Sequence, residues 1–554
     1  MLLKVEDLKT YFETGGETAR AVDGIGFHID SGETFCLVGE SGSGKSVTAL
    51  SVIRLLPPET SFHPSGRILF DWRHLDGRRE TVDLLRLDEP GLRQIRGARI
   101  AMIFQEPMTS LNPVFTIGEQ IVEALQLHFP EMGDAEARDR AVTALEQVRI
   151  PDAGGRIDEY PHRLSGGQRQ RVMIAMAMAC EPDLLIADEP TTALDVTVQA
   201  EILRLMKDLQ ARRGTSILFI THDFGVVSRM ADRLAVMREG RIVESGTLDE
   251  VLHQPKHPYT RQLLDALPEN LRRRRGLEPP APRSSAGPPP GSLIELKGLE
   301  VHFPVRKGVL RRTVDHVRAV DGVDLSIPKG RILALVGESG CGKTTLGRAI
   351  LRLVEPTGGA VWFDGTELSA LSPRAMRPFR RHLQIMFQDP VSSLNPRLTV
   401  AAALTEPMAV HDIGADREER LEIAARTLEQ VQLARDHLWR YPHEFSGGQR
   451  QRIGIARALV LDPEFIVCDE VTSALDVSVQ AEILELLLGF QRDRDLTLLF
   501  ITHNIAVVEY VSNWIAVMRD GRIVEDGPTE RVASRPEHPY TQELLAAVPR
   551  VPLS

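Results

Sequence analysis

The stretch LSGGQRQRV, residues 164–172, decides the interpretation of the chain, because a nearly identical stretch, FSGGQRQRI, follows at residues 445–453. In each copy a serine precedes two glycines at the predicted start of a helix. The serine can cap that helix, and the glycines leave backbone N–H groups accessible to an anion. Ser165 and Ser446 are 281 positions apart (446 − 165). A helix cap alone does not predict such a recurrence, so the stretch indicates half of a repeated site.

The composition is that of an ordinary globular protein with more than one core. The chain has 554 residues, of which 42% are hydrophobic and 26% are charged. Its net charge of −11 argues against nucleic acid as the main partner. The four cysteines are far apart, which favours a reducing compartment and excludes a local cysteine-based metal motif.

Membrane spans and export signals are not expected from the sequence. It contains no apolar run of about 20 residues, which a transmembrane helix would need. The start, MLLKVEDLKTYF, lacks a basic segment followed by an apolar core. We therefore expect a soluble intracellular protein that reaches a membrane only through another chain.

Short apolar strands that alternate with helical patterns predict an α/β fold for residues 1–270. The near-continuous apolar runs LLIAD and ILFIT indicate buried parallel strands. The predicted strands include 34–39, 68–70, 98–104, 183–188 and 216–221, and the predicted helical stretches are 118–149 and 168–180.

A duplication accounts for the rest of the chain. Residues 271–291 are rich in Pro, Gly, Ser and Arg and predict an extended linker. The arginines at 272–275 are interpreted as solvated, with anionic lipid or a partner chain as the alternative contact. Residues 292–554 repeat the first segment, and a period near 280 indicates a duplicated domain rather than a solenoid.

Each copy carries a glycine-rich phosphate-binding loop between an apolar strand and a helical stretch. The sequences GESGSGKS (39–46) and GESGCGKT (337–344) fit G-x-x-x-x-G-K-[ST]. Their glycines let backbone N–H groups face a phosphate chain, and Lys45 and Lys343 can reach its outer phosphates. The predicted nucleotide-binding residues of these loops are Gly39, Glu40, Ser41, Gly42, Ser43, Gly44, Lys45, Ser46 and Val47, and Gly337, Glu338, Ser339, Gly340, Cys341, Gly342, Lys343, Thr344 and Thr345.

An acidic pair ends a later apolar strand in each copy, in DLLIADEP and EFIVCDEV. The aspartates, Asp188 and Asp469, can hold Mg²⁺ together with the hydroxyls of Ser46 and Thr344. The following residues, Glu189 and Glu470, can polarise a water for attack on the γ-phosphate. A strand followed by Asp-Glu is also a common turn. The next strand ends in His222 and His503, again 281 positions apart, which favours a catalytic role over a structural one.

With these motifs the chain resembles a pair of fused ATP-binding cassettes from an ABC transporter, over nearly its whole length apart from the linker. The resemblance implies two tandem P-loop domains, each with a RecA-like core and a helical subdomain. It implies that Gln105 and Gln388 are Q-loop residues that sense Mg²⁺, and that 192–195 and 473–476 are D-loops. Phe12 and Phe303 match the aromatic residue that stacks on adenine, although Tyr11 leaves the first assignment open.

The stretches at residues 164–172 and 445–453 match the signature motif of the family. The signature residues that the resemblance implies at ATP are Ser165, Gly166, Gly167 and Gln168, and Ser446, Gly447, Gly448 and Gln449. In the family two cassettes close head to tail. Each signature would then complete the ATP site of the other copy, as an intramolecular pair.

Further motifs narrow the resemblance to oligopeptide/dipeptide importer ATPases. They are SLNP (110–113, 393–396), YPH before the signature, ALDV(T/S)VQAEIL, and HPYT (257–260, 538–541). Many relatives bind an iron–sulfur cluster through cysteines after HPYT. The stretches directly after Tyr259 and Tyr540 contain no cysteine, so no cluster is expected.

The resemblance implies an ATPase that uses ATP and Mg²⁺ at two competent sites. It would act on the cytoplasmic face of the inner membrane, with two permease subunits and a solute-binding protein. Peptides are the favoured cargo, and nickel chelates, glutathione and oligosaccharides are the alternatives. Two other classes of protein are the alternatives: a soluble tandem cassette acting on ribosomes or DNA, and a module that only clamps nucleotide. The short proline-rich linker and the negative charge disfavour the first, and the paired glutamates disfavour the second.

Overall fold

The computed structural model describes residues 1–74, 78–105, 110–191, 194–274, 291–307, 312–387, 393–473, 475–549 and 551. The chain divides into two compact units. The first unit is Met1–Leu264 together with Pro549–Ser554, and the second unit is Asp265–Val548. The predicted Q-loop residue Gln388, most of the predicted linker, and residues 192, 193 and 474 of the predicted D-loops lie outside the described residues.

The strands of the first unit form two sheets. They are β1 (Leu3–Thr14), β2 (Glu17–Ile29), β3 (Thr34–Val38), β4 (Ser61–Phe62), β5 (Arg67–Arg73), β6 (Arg79–Asp83), β7 (Ile100–Ile103), β8 (Leu184–Asp188), β9 (Ser216–Thr221), β10 (Arg233–Arg238) and β11 (Arg241–Thr247). The first sheet has the order β11-β10-β3-β9-β8-β7. Its neighbours are parallel except for the antiparallel pair β10 and β11. Strands β3, β8 and β9 are buried along their whole length, as predicted for parallel strands covered on both faces.

The second sheet is antiparallel, with the order β2-β1-β5-β6 and β4 paired to β1. The predicted strand 68–70 lies in β5 of this sheet and not in the parallel one. A buried cluster that includes Leu3, Phe35, Val52 and Ile186 joins the two sheets through the helix that follows β3.

The helices of the first unit cover and extend the parallel sheet. They are α1 (Lys45–Val52), α2 (Glu89–Ile95), α3 (Ile117–His128), α4 (Asp134–Gln147), α5 (Ala153–Arg156), α6 (Gly166–Met178), α7 (Val196–Arg213), α8 (Phe224–Met230), α9 (Leu248–His253) and α10 (Pro258–Asp265). The predicted helical stretch 118–149 is two helices, because Pro130 and Gly133 lie in the connection between α3 and α4. The stretch 168–180 is α6, which begins after its cap Ser165.

The second unit repeats this architecture. Its strands are β12 (Ser292–Lys307), β13 (Arg312–Pro328), β14 (Ile332–Val336), β15 (Gly358–Phe363), β16 (Thr366–Glu367), β17 (Leu383–Met386), β18 (Phe465–Asp469), β19 (Thr497–Ile501), β20 (Trp514–Arg519) and β21 (Arg522–Pro528). The sheet orders are β13-β12-β15-β16 and β17-β18-β19-β14-β20-β21. Because β14, β18 and β19 are parallel, their carboxyl ends meet at one edge of the sheet.

The helices of the second unit complete the repeat. They are α11 (Pro268–Arg274), α12 (Lys343–Ile350), α13 (Pro373–Met376), α14 (Phe379–His382), α15 (Val400–Val410), α16 (Arg417–Gln430), α17 (Gly447–Leu459), α18 (Val477–Arg494), α19 (Ile505–Val511), α20 (Thr529–Ser534) and α21 (Pro539–Ala547). Within the described part of the chain, no helix combines the length and apolarity that crossing a membrane requires.

The start of the predicted linker differs from the expected extended tether. Residues 271–274 are the last turn of α11, which packs against α19 within the second unit. Leu271 lies against that unit's core, and the Arg272 guanidinium is 3.7 Å from the Glu509 carboxylate. Arg272 is therefore an ion-pair partner rather than a solvated charge. The predicted domain boundaries at 270 and 292 stay a prediction.

The end of the chain belongs to the first unit. A Cβ atom added to Gly225 of α8 would lie 2.6 Å from the carbonyl oxygen of Pro549, so backbone meets backbone there. Val551 is buried. The first unit is thus built from both ends of the chain.

Candidate functional site

The phosphate-binding loop connects β3 to α1 in the first unit and β14 to α12 in the second. Gly44 and Gly342, the caps of these helices, have φ angles of 100° and 110°. A Cβ atom at Gly44 would lie 2.3 Å from the Ala21 carbonyl oxygen, and one at Gly342 would lie 2.0 Å from that of Ala319. The left-handed backbone and the close approach both require glycine at this position.

The loop lysine is buried and held by backbone in each unit. Lys45 Nζ donates to the carbonyl oxygens of Gly39 and Glu40, both at 2.8 Å. Lys343 Nζ repeats the arrangement on Gly337 at 2.8 Å and Glu338 at 2.7 Å. Both lysines are 5% exposed. Their ammonium groups are therefore fixed at the loop, and their contact with the outer phosphates stays a prediction.

The predicted Mg²⁺ ligands come together at the carboxyl ends of the strands. Ser46 Oγ donates to Asp188 Oδ1 at 3.0 Å, and Thr344 Oγ1 donates to Asp469 Oδ1 at 2.9 Å. Burial raises the pKa of both aspartates, against the hydrogen bond from the hydroxyl, and the neighbouring glutamate raises it further. A cation beside these buried carboxyls would favour their ionised form.

The donor atoms in each unit fit Mg²⁺. They are hydroxyl and carboxylate oxygens, which this cation prefers, and Mg²⁺ bound with a nucleotide needs few protein ligands because phosphates and waters fill the remaining positions. Among the described residues, no group of three or more His, Cys, Asp or Glu could hold a metal ion by itself. Ser46 with Asp188, and Thr344 with Asp469, are the pairs that would hold the cation of a Mg²⁺–nucleotide.

The predicted catalytic glutamates have a strained backbone. Glu189 and Glu470 have φ angles of 46° and 48°, in the left-handed region that side-chain-bearing residues seldom adopt. The Glu189 N–H donates to the Ile220 carbonyl at 2.9 Å, and the Glu470 N–H donates to that of Ile501 at 2.9 Å. These bonds to the next strand hold the unusual conformation. Such strain concentrates at functional sites, where it orients a side chain.

Each glutamate carboxylate contacts the predicted histidine. His222 Nδ1 lies 3.1 Å from Glu189 Oε1, and His503 Nδ1 lies 3.3 Å from Glu470 Oε1. Gln105 Nε2 donates to Glu189 Oε2 at 3.1 Å, so the predicted Q-loop residue joins the same group. Burial pushes the pKa of Glu470 upward, but the hydrogen bond and charge of His503, with Lys343, outweigh it and leave the pKa lowered. A lowered pKa suits a carboxylate that must stay ionised to polarise water.

The signature stretches form the capped helix starts that the sequence predicts. Ser165 Oγ accepts from the Gln168 N–H at 3.3 Å, and Gln168 Oε1 accepts from the Ser165 N–H at 3.1 Å. Ser446 and Gln449 form the same capping box. The functional part of the prediction, that these residues contact ATP, stays a prediction.

The two glycines of each signature have different surroundings. A Cβ atom at Gly167 would lie 2.6 Å from Val198 Cγ1, and one at Gly448 would lie 2.6 Å from Val479 Cγ1. The first glycine of each pair, Gly166 in the first unit, has no such neighbour within 4 Å. The second glycine is therefore needed for packing against the following long helix, whereas the first leaves open space above the helix N-terminus.

The predicted adenine-stacking residues lie in the long antiparallel hairpins. Phe12 pairs across the hairpin with Ala19, and Phe303 pairs with Val317. Phe303 is 43% exposed, so its ring is available to a ligand. The hydroxyl of Tyr11 donates to Asp23 Oδ1 at 2.7 Å, which gives this ring a structural contact. The stacking role of Phe12 and Phe303 stays a prediction.

One contact at the phosphate-binding loop was missed from the sequence. The hydroxyl of Tyr259 donates to Glu40 Oε2 at 2.8 Å, and the oxygen of Tyr540 accepts from the Glu338 N–H at 3.0 Å. Both tyrosines belong to the HPYT motif, which sequence reasoning used only as a mark of the family. The motif recurs in both copies, about 220 residues after the loop it contacts in the first and about 200 in the second. This recurrence was the signal in the sequence that could have indicated a functional role.

Two family models match parts of both copies. The sequence model described as "ABC transporter" matches residues 22–192 and 320–473. The one described as "Oligopeptide/dipeptide transporter, C-terminal region" matches residues 243–289 and 524–552.

Two relatives resemble nearly the whole chain. A protein of Agrobacterium fabrum (strain C58) named "Peptidoglycan transport ATP-binding protein YejF" is 50% identical over 546 residues, which cover 99% of this chain and 96% of the relative. A protein of Escherichia coli (strain K12) named "Glutathione import ATP-binding protein GsiA" is 48% identical over 566 residues, which cover 99% of this chain and 89% of the relative.

Proposed function

Because the chain belongs to the ABC transporter family, in its oligopeptide/dipeptide branch, we propose that it hydrolyses ATP at two sites to drive the import of peptides. The observation that carries the proposal is the glutamate–histidine contact beside the aspartate–hydroxyl pair, present in both units. A chain that only clamped nucleotide would not need a histidine-bound carboxylate at this point.

We assign the residues of each unit different roles in hydrolysis. Lys45 and Lys343 bind the outer phosphates, and the left-handed backbone of Glu189 and Glu470 aims a carboxylate at the attacking water. His222 holds the Glu189 carboxylate in its orientation. When bound with ATP, Mg²⁺ supplies the positive charge that offsets charge developing on the phosphate oxygens.

Membrane partners are part of the proposal. The family to which the chain belongs is that of transporters, and we propose two permease subunits, served by a solute-binding protein, with the chain on the cytoplasmic face of the membrane. Phe104 is 40% exposed, and Val114 and Phe115 are 70% and 48% exposed, all close in sequence to Gln105. A contiguous exposed apolar patch can mark a surface that a partner covers, and we propose that these side chains contribute to such a surface.

The cargo we propose is a short peptide or a compound that contains one. The names of the two relatives specify glutathione import and peptidoglycan transport, and both compounds contain peptide. Nickel chelates lack this chemistry and are therefore disfavoured.

Uptake of labelled di- and tripeptides by cells tests the function directly. A chain with Lys45→Ala and Lys343→Ala should abolish uptake while the protein remains folded and membrane-associated. Co-purification with integral membrane proteins supports the proposal. Co-purification with ribosomes, or unchanged uptake in the double variant, would contradict it.

The docking surface has its own experiment. Val114→Ser with Phe115→Ser should reduce co-purification with the membrane partners and leave ATP binding unchanged. Leu55→Ser is the matched control, because Leu55 is 44% exposed in the same unit but is remote in sequence from Gln105. Equal loss in both variants would argue against a partner at this surface.

A further inference from the structure

A short segment near the end of each copy is fixed by one carboxylate. Glu244 accepts hydrogen bonds from the N–H groups of Lys256 and His257, at 2.6 Å and 3.1 Å. Glu525 accepts from the N–H groups of Glu537 and His538, both at 3.0 Å. In each unit this clamp sets the start of the helix that carries the HPYT tyrosine.

The tyrosine of each segment is buried against the phosphate-binding loop. Tyr259 and Tyr540 are 5% and 3% exposed. The guanidinium carbon of Arg238 lies 4.7 Å from the centre of the Tyr259 ring, and that of Arg519 lies 4.8 Å from the centre of the Tyr540 ring. Cation–π contact of this kind holds the ring in place while its hydroxyl remains free to act at the loop.

The hydroxyl reaches the residue that also holds the loop lysine. In the first unit, Glu40 accepts from Tyr259 with its carboxylate and from Lys45 Nζ with its carbonyl oxygen, both at 2.8 Å. In the second unit, the Glu338 N–H donates to the tyrosine at 3.0 Å and its carbonyl accepts from Lys343 at 2.7 Å.

The contact ends on the same loop position in both units. Each tyrosine oxygen contacts the backbone of the second loop residue, and in the first unit Tyr259 also donates to the carboxylate of that residue. Neither tyrosine is placed to touch the reacting atoms through these contacts. Their effect on ATP must therefore pass through the loop and its lysine.

We propose that Tyr259 and Tyr540 are positioning residues for ATP: each ties the C-terminal segment of its unit to the phosphate-binding loop and so holds the lysine in its binding orientation. Loss of the hydroxyl frees the loop before ATP binds. The bound nucleotide must then order it, which weakens binding and leaves the chemical step largely intact.

The test uses the full chain with Tyr259→Phe and Tyr540→Phe together, in an ATP hydrolysis assay at varied ATP. Phenylalanine keeps the ring and its contact with arginine and removes only the hydroxyl. Loss of one hydrogen bond per site should raise KM for ATP roughly 3- to 10-fold, with kcat at saturating ATP changed less than about twofold. Direct titration with a fluorescent ATP analogue should give the same fold-change.

Tyr510→Phe is the matched control. Tyr510 is also 5% exposed, and its hydroxyl also donates to a carboxylate, that of Glu485. This variant should keep the KM of the natural chain. A rise in KM equal to that of the double variant would overturn the proposal, because hydroxyl loss anywhere would then have the same effect.

Two further outcomes are decisive. A fall in the thermal unfolding midpoint with unchanged KM would overturn the proposal in favour of a purely structural role. The KM measurement depends on the proposed ATPase activity. The positioning role and the proposed function can nevertheless fail separately. If the natural chain does not hydrolyse ATP, the proposed function fails. If it does and the double variant has the same KM and analogue affinity, the positioning role fails.

Discussion

Glu189 and Glu470 are the residues on which the chemistry of each unit depends. Both combine a left-handed backbone with a histidine contact, and the second unit repeats the first in distance and conformation. This similarity predicts two equally competent sites. The sequence alone could suggest this only because the same residue types recur at equivalent positions in the two copies.

Substituting these glutamates tests the equivalence. Glu189→Gln combined with Glu470→Gln should slow hydrolysis by a factor on the order of 10²–10⁴, about 3–5 kcal/mol of barrier, because the amide cannot act as a base. Each single variant should lose a similar share of turnover in a steady-state phosphate-release assay. Full turnover in one single variant and none in the other would contradict the prediction of two equivalent sites.

The surroundings of the two signature glycines lead to a second prediction about single residues. Gly167→Ala should lower the thermal unfolding midpoint, because its methyl group meets Val198 within the unit. Gly166→Ala has open space around it and should fold normally, yet hydrolyse ATP more slowly by crowding the helix N-terminus. Calorimetry and a hydrolysis assay on both variants separate the two effects. A stability loss in Gly166→Ala, or none in Gly167→Ala, would contradict this division.

Among the secondary-structure elements, hydrophobic periodicity predicted the buried strands and missed an exposed hairpin. Buried parallel strands such as β8 and β9 are near-continuous apolar runs, and their positions were predicted almost to the residue. The long hairpin of β1 and β2 was missed, because β2 is largely exposed in its first half and its register contains bulges that blur a two-residue period. The HPYT contact was missed because no local pattern encodes a partner so distant in the chain.

The carboxylate clamp at the start of α21 should make that helix sensitive to acid. Burial raises the pKa of Glu525, but hydrogen bonds from the backbone N–H groups of Glu537 and His538, with the charge of Arg531, lower it below its ordinary value of 4.5. A carboxyl with a depressed pKa stabilises the fold above its unfolded pKa, and that stability is lost as pH falls through the folded pKa. Hydrogen exchange of residues 537–547 should therefore rise below about pH 4.5, after correction for intrinsic rates.

Glu525→Gln is the control for the clamp. It keeps an acceptor oxygen but has no charge, so the segment should be less protected at neutral pH and its protection should vary little with acid. Retention of the acid-dependent change in this variant would assign the effect to another group.

At the scale of the whole molecule, the end of the chain is expected to stabilise the first unit. Deleting residues 549–554 removes the Pro549 backbone from Gly225 and the buried Val551 side chain. Burial of such a side chain contributes about 1.5–3 kcal/mol, so unfolding of the first unit should begin at lower temperature.

Hydrogen exchange locates the effect of the deletion. Protection should be lost at α8 in the first unit and kept at α20 in the second. Loss confined to the second unit would contradict the assignment of the tail.

The division of the chain also bears on its synthesis. Because the first unit includes the final residues, it is discontinuous: the ribosome makes its bulk first and delivers its closing segment only after the whole second unit has been translated. Nascent chains that stall before Pro549 therefore carry a first unit with an uncovered α8. A gene split between the two copies would leave the first product without the closing segment that begins at Pro549. The first unit therefore depends on translation of the whole second copy for its completion, whereas the second unit is formed by one continuous range.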